Sequence, residues 1–228
     1  TEMASHDLAP ILAFATPGMV LRFILSKKNF SMPGGNRSSG LDKIVTRGGD
    51  GGQTSLGEGS RVTKDQARIE VLGTLDEINA LVGVVQAHTP AGDSVAHQLT
   101  AVQNLLFDMG ADICLPEDGP MGERAHRVEE AALMVIERRI EELRERQSPI
   151  AGFVLPGGSI AAAMAHLTRT QVRRAERRMV GLARQERVNP GLLKILNRLS
   201  DYFFVLARHF NHDGQTDVVW QPMAKNEK

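Results

Sequence analysis

A single cysteine, a single tryptophan and a single tyrosine stand among the 228 residues of this chain, and each shortage excludes something. Cys114 alone cannot form an internal disulfide or a cysteine-based metal cluster, which suits a reducing compartment. With aromatics this scarce, and Ala, Leu, Arg and Glu abundant, the composition favours helices over a β-sandwich. Neither sign of charge dominates: Lys plus Arg and Asp plus Glu both number 27, for a formal net charge of zero. No global field draws such a chain onto DNA or an anionic membrane, so any basic patch is local. Nor does any stretch reach the roughly 20 apolar residues that a membrane span needs. The nearest, 11–25, is interrupted by Pro17, Gly18 and Arg22. Ahead of it stand Glu2, His6 and Asp7, the wrong sign for a secretory n-region and too acidic for a typical transit peptide. The expectation is a cytoplasmic protein without a membrane partner.

What is present reads as a tail, one helical domain and a second tail. Residues 1–40 carry no assigned role, with Met32 a plausible start. Residues 41–212 form the domain, and 213–228 a C-terminal tail. After a Gly/Ser-rich stretch at 33–40, Lys43-Ile44-Val45-Thr46 reads as a short strand leading into a glycine-rich loop, 47–60. Thr74 with Glu77 then reads as a capping box, followed by Leu75, Ile78, Val82 and Val85 at helical spacing. A second helix is predicted over 94–113. A third, over 122–147, has Val128, Ala132, Val135 and Leu143 as a thin apolar stripe. A loop over 148–159 precedes a fourth helix, 160–186. The fifth opens with Asn189 as N-cap and Pro190 at its first position, and runs to about residue 209. Five helices on short loops predict an all-α, up-and-down five-helix bundle, with a short N-terminal strand and glycine-rich loop.

Three clusters carry chemistry. In Thr46-Arg47-Gly48-Gly49-Asp50-Gly51-Gly52-Gln53-Thr54-Ser55, glycines admit phosphate oxygens to backbone N–H groups, while hydroxyls and Arg47 add donors. The loop is neither a P-loop, since no Gly-Lys-Ser/Thr closes it, nor a dinucleotide fingerprint, since Thr54 stands where a third glycine belongs. On composition alone a flexible surface linker is the better reading. Lys64 is near enough in sequence to reach the same anion. On the fourth helix, His166, Arg169, Thr170, Arg173, Glu176 and Arg177 fall at spacings of three and four, one polar stripe suited to a polyphosphate. A solvated, self-paired face and a nucleic-acid recognition helix over 169–187 compete with that reading. On the fifth helix, Asn197, Asp201 and Arg208 lie near one face, opposite Leu196, Leu199, Phe203, Leu206 and Phe210. Asn197 suits an adenine edge or ribose, or an ordinary buried amide. Asp76 and Asn79 flank the apolar face of the first helix, where a carboxylate needs a partner; an arginine of helix four is the natural one. Cys114, at a helix end without an activator, reads as structural. No His-Glu-x-x-His occurs, and Glu123-x-x-His126 is the lone half of a di-iron pattern.

Taken in order, the segments 46–54, Gly73-Thr74-Leu75-Asp76-Glu77-Ile78-Asn79, Leu155-Pro156-Gly157-Gly158-Ser159, Arg169-Thr170-Gln171-Val172-Arg173-Arg174-Ala175-Glu176-Arg177-Arg178 and Asn197-Arg198-Leu199-Ser200-Asp201 resemble the PduO-type ATP:cob(I)alamin adenosyltransferases. The match runs from about residue 43 to 209. The resemblance implies a five-helix bundle, a homotrimer with active sites between subunits, and transfer of the 5′-deoxyadenosyl group of ATP to the cobalt of cob(I)alamin, releasing triphosphate. It implies that Thr46, Arg47, Gly48, Gly49, Asp50, Gly51, Gly52, Thr54, Ser55 and Lys64 wrap the triphosphate. Arg173, Arg174, Glu176 and Arg177 would come from the adjacent subunit, with Asn197 placing the nucleoside. Arg169 would pair across the interface with Asp76, and Phe153 would pack under the corrin ring and displace the lower cobalt ligand. Mg²⁺ as a partner of ATP, a flavin-type reductase and a cobalamin-dependent enzyme are implied as well. Gly48 stands where Thr or Asn is expected and Arg47 where Lys is common; both substitutions keep phosphate binding. A non-enzymatic, ATP-responsive corrinoid carrier would use the same pockets, and turnover separates the two.

Overall fold

The computed structural model describes residues 45–223, so the expectations for 1–40 and for Lys43 and Ile44 lie outside the described residues. Its elements are β1 (Gln53–Ser55), β2 (Arg61–Thr63), and helices α1 (Ala67–Ala87), α2 (Val95–Cys114), α3 (Glu130–Arg144), α4 (Ile160–Ala183) and α5 (Pro190–His209). Five helices with one two-stranded sheet are the all-α architecture that the periodicity predicts.

Local chemistry starts the last two helices. Ser159 Oγ accepts the Ala162 N–H at 3.1 Å, capping α4. Asn189 Oδ1 accepts the Gly191 N–H at 2.9 Å, with Pro190 inside the first turn, so α5 begins where its sequence says. α4 packs between α1 and α5, α2 lies against α1, and α3 lies against α5. Val82, Leu99, Met109, Val172, Met179, Leu196 and Phe203 are wholly buried in the shared core, and burial of this kind dominates the favourable side of folding. Among the described residues no helix is long and apolar enough to cross a membrane.

Three expectations need correction. Val45 and Thr46 form no strand; β1 lies inside the glycine-rich segment and β2 just after it, the two pairing antiparallel with Thr54 opposite Val62. Thr74 caps nothing: α1 starts at Ala67, and the Thr74 hydroxyl, in mid-helix, donates to the Val71 carbonyl at 2.8 Å. Buried Arg68 and Val71 hold the earlier turn in place. Arg68 donates to the Ile113 carbonyl at 2.5 Å and pairs with Glu186.

The third predicted helix is two pieces, a 3₁₀ turn at Gly122–Arg124 and α3 from Glu130. Buried Asp112 separates them. Its carboxylate accepts from Arg127 Nη1 at 2.8 Å, the Val128 N–H at 2.9 Å and Asn189 Nδ2 at 2.8 Å, pulling 127–128 out of any helix. The buried stripe of α3 is accordingly Ile136, Ile140 and Leu143, so that of the expected Val128, Ala132, Val135 and Leu143 only Leu143 belongs to it.

Beyond α5 the chain turns sharply, with His212, Asp213 and Gly214 at positive φ, and residues 217–220 return alongside 153–155. Val154 bridges Val219, and the Leu155 N–H donates to the Val218 carbonyl at 2.8 Å.

Candidate functional site

The glycine-rich segment is a folded hairpin. Arg47 (φ 59°) and Gly52 (φ 79°) occupy the left-handed region and reverse the chain. The Gly52 N–H donates to the Gly49 carbonyl at 3.2 Å, and the Lys64 N–H to the Gly52 carbonyl at 2.9 Å. A Cβ at Gly49 would sit 3.0 Å from Lys64 Nζ, so the missing side chain lets the lysine amine lie against the loop. Arg61, which sequence reading passed over, fixes the loop from its far strand: Nη2 donates to the Gly48 carbonyl at 2.6 Å and Nη1 to Ser55 Oγ at 3.2 Å. Arg47, Gly48, Asp50, Gly51, Gly52 and Ser55 are exposed, Gly49 and Thr54 half-buried, and Thr46, just before, is exposed. The result is a cationic, donor-rich turn open to solvent.

The stripe on α4 divides in two. Arg174 and Arg178 lean onto α1: Arg174 lies 3.9 Å from Glu70 and 3.7 Å from Glu77, and Arg178 3.2 Å from Glu70. Arg169, Arg173 and Arg177 form no ion pair with a carboxylate among the described residues; Arg177 Nη1 donates to the Arg173 carbonyl at 3.1 Å. Arg169 and Arg173 instead line a groove of about 1070 Å³ shared with Arg198, Ser200, Asp201 and the α3 face. Burial first, then the neighbouring Arg173, lowers the proton affinity of the Arg169 guanidinium. Its Nε is buried without a hydrogen-bond partner among the described residues, as are both ring nitrogens of His166 one turn earlier. His166 is therefore not part of a solvated stripe: it is 1% exposed, against the Phe204 ring.

Glu176 and Asn197 are brought together, Asn197 Nδ2 donating to Glu176 Oε1 at 3.0 Å. Arg198 Nη1 donates to Asn197 Oδ1 at 3.0 Å while its Nε holds Glu137 at 2.8 Å, so the amide is oriented from both ends. Arg208, placed with Asn197 and Asp201 by periodicity, is elsewhere: it is buried in an ion pair with Asp217. Asp76 is exposed on α1 and has no ion pair with an α4 arginine of its own chain among the described residues. Asn79, by contrast, is buried and donates from Nδ2 to the Gln103 carbonyl at 3.2 Å. Cys114 is half-buried, and burial pushes its thiol above the ordinary value, the condition of a structural cysteine.

Phe153 is 79% exposed on the loop between α3 and α4. That loop is held by Asn211, whose Oδ1 accepts the Ser159 N–H at 3.2 Å and whose Nδ2 donates to the Gly157 carbonyl at 3.2 Å. Gly158 (φ 96°) runs so close to the Asn211 amide that no Cβ fits there. Arg61 and Asn211 had no motif to announce them, Arg198 was quoted only as part of a motif, and only folding reveals what the three orient.

Comparison with known proteins identifies the family. Residues 44–210 match the family described as cobalamin adenosyltransferase. The corrinoid adenosyltransferase of Bacillus subtilis is 37% identical over 186 residues, 80% of this chain and 94% of that one. A cobalamin adenosyltransferase of Cupriavidus metallidurans is 40% identical over 188 residues, 82% and 97% respectively. Among solved structures, a variant of the PduO-type ATP:corrinoid adenosyltransferase from Lactobacillus reuteri, complexed with cobalamin and ATP, superposes with a TM-score of 0.74 at 34% identity, covering 78% of this chain and 97% of its own. The chain belongs to the cobalamin adenosyltransferase family.

Proposed function

We propose that this protein is an ATP:cob(I)alamin adenosyltransferase whose active sites lie between subunits of a homotrimer. The observation that carries the reading is the arginine face of α4. Arg169, Arg173 and Arg177 gather positive charge without an ion pair to a carboxylate among the described residues, and two of them open onto a groove. A polyphosphate supplies the missing negative charge, and guanidinium forks bind it bidentately. The glycine-rich hairpin with Lys64 provides a second set of donors, contributed by an adjacent copy. Arg169, with its buried unpartnered Nε, and exposed Asp76 complement each other in the same way across the interface.

In this reading Arg173, Arg174, Arg177, Lys64 and the loop 46–55 grip the triphosphate, and Asn197, oriented by Glu176 and Arg198, places the nucleoside. The cobalt(I) lone pair attacks C5′ of ATP. The Co–C bond forms as the C5′–O bond breaks, triphosphate leaves with the bonding pair, and the cobalt becomes formally cobalt(III). No side chain is needed as base or nucleophile; the protein supplies position and charge. Among the described residues no cluster of three His, Cys, Asp or Glu would hold a metal by itself. The donor set would suit a Mg²⁺ carried on the phosphates, with Asp50 the carboxylate that the loop 46–55 contains. Mg²⁺ would add neutralising charge on the leaving triphosphate. Phe153 presents an apolar wall to the lower face of the corrinoid, offering the departing lower ligand of cobalt(II) no replacement and so easing reduction to cobalt(I). A flavin-type reductase supplies that electron, and a cobalamin-dependent enzyme takes the product.

The intersubunit arrangement is tested by mixing two inactive variants, Lys64→Ala and Arg173→Ala, in one oligomer. If each site takes its hairpin and its α4 from different copies, random assembly regenerates about a quarter of the sites with both parts intact. No recovered turnover in demonstrably mixed oligomers would place both parts in one chain. Binding of ATP and corrinoid by the unmutated protein without turnover would favour the carrier.

A further inference from the structure

Phe153 and Trp220 are 79% and 50% exposed, yet their rings meet edge-on, centroids 6.2 Å apart at 69°. An exposed phenylalanine on a loop ordinarily samples several rotamers, and a ring that must displace an axial ligand cannot do so while swinging. Here the backbone beneath it is locked to the returning segment. The Trp220 N–H donates to the Phe153 carbonyl at 2.7 Å, the Leu155 N–H donates to the Val218 carbonyl at 2.8 Å, and Val154 bridges Val219 between them. Gly152 allows the approach, since a Cβ there would sit 2.9 Å from Val219 Cγ1. The returning segment is anchored in turn by the buried pair of Arg208 and Asp217, and by Asn211 Nδ2 on Asp217 Oδ1 at 3.3 Å. Leu155 and Val218, also exposed, extend the two rings into one apolar surface. Exposed apolar area of this sort marks a binding face rather than a core.

We infer that Trp220 is a positioning residue for the displacement of the corrinoid's lower ligand, holding the Phe153 ring upright against the lower face of the macrocycle. The inference rests on the role proposed for Phe153. It assigns work to a segment that lies beyond the matched family region, residues 44–210. Trp220 acts through Phe153 and needs no contact with cobalt.

The test uses the full-length protein with ATP and cob(II)alamin, read by EPR, where an axial nitrogen ligand splits the cobalt(II) signal and its loss removes the splitting. The unmutated protein should lose the splitting, and Phe153→Ala should keep it. Trp220→Ala should lower the displaced fraction about fivefold, the factor an aromatic edge contact commands. It should leave ATP affinity unchanged, and Trp220→Phe should restore displacement. A Trp220→Ala spectrum like that of the unmutated protein, with Phe153→Ala still blocked, overturns the inference and spares the Phe153 reading. Normal displacement in Phe153→Ala overturns that reading itself. Trp220 is the sole tryptophan, so its emission reports the contact without altering Trp220. In Phe153→Ala the emission should shift to the red and become more accessible to acrylamide; an unchanged spectrum also overturns the inference.

Discussion

The Arg208 guanidinium donates through Nε to Asp217 Oδ2 at 2.6 Å, with both side chains at or below 5% exposure. Arg208 also donates to the Ser148 carbonyl at 2.8 Å and to Gln147 Oε1 at 3.3 Å. One residue thus fastens the end of α5, the loop after α3 and the returning C-terminal segment. Breaking a buried pair from one side strands the other charge, which costs about 3–5 kcal/mol. Asp217→Ala should lower unfolding free energy by that amount in urea titration, and it should free the segment that carries Trp220. A loss under about 1 kcal/mol would mean that water reaches Arg208 and the anchor is dispensable.

The bundle was largely readable in advance, because α2, α4 and α5 write their faces and starts into local sequence. Ser159 and Asn189 are caps whose partners lie two or three residues away. The misread starts have non-local causes. Thr74 looks like a cap until Arg68 is seen tied to Ile113 and Glu186. The break before α3 follows from Asp112, more than a dozen residues earlier, collecting Arg127 and Val128. The candidate site was legible as motifs: the loop 46–55, the α4 arginines and Asn197 all fall where binding chemistry is available. Their supports were not. Arg61 reaches Gly48 across thirteen positions, Asn211 reaches Ser159 across fifty-two, and Trp220 meets Phe153 through a segment without periodicity.

His166 gives the fold a dependence on pH. Burial first, and then the positive charge of Arg169, push its proton affinity below the ordinary histidine value, with Asp217 opposing weakly. The folded state therefore binds a proton less readily than the unfolded chain. Its stabilising preference for the neutral ring is present above about pH 6.5 and is lost as the pH falls toward the lowered folded value. His166→Leu should flatten the fall in unfolding free energy below about pH 6.5, removing up to about 1.4 kcal/mol per pH unit of slope. Denaturation series at several pH values check this; identical slopes in both proteins would mean that His166 is solvated in solution.

Adenosylation itself is the most direct measurement. Purified protein is mixed with ATP, Mg²⁺ and chemically reduced cob(I)alamin, and the visible spectrum is followed for adenosylcobalamin. Conversion should depend on ATP, and Arg173→Ala should lower kcat by about 10²–10³, the loss typical of removing one preorganised charge donor. Arg173→Lys should recover only part, because the charge returns without the planar fork. No conversion by the unmutated protein while it binds both ATP and corrinoid, or full activity in Arg173→Ala, would remove the arginine face of α4 from the chemistry.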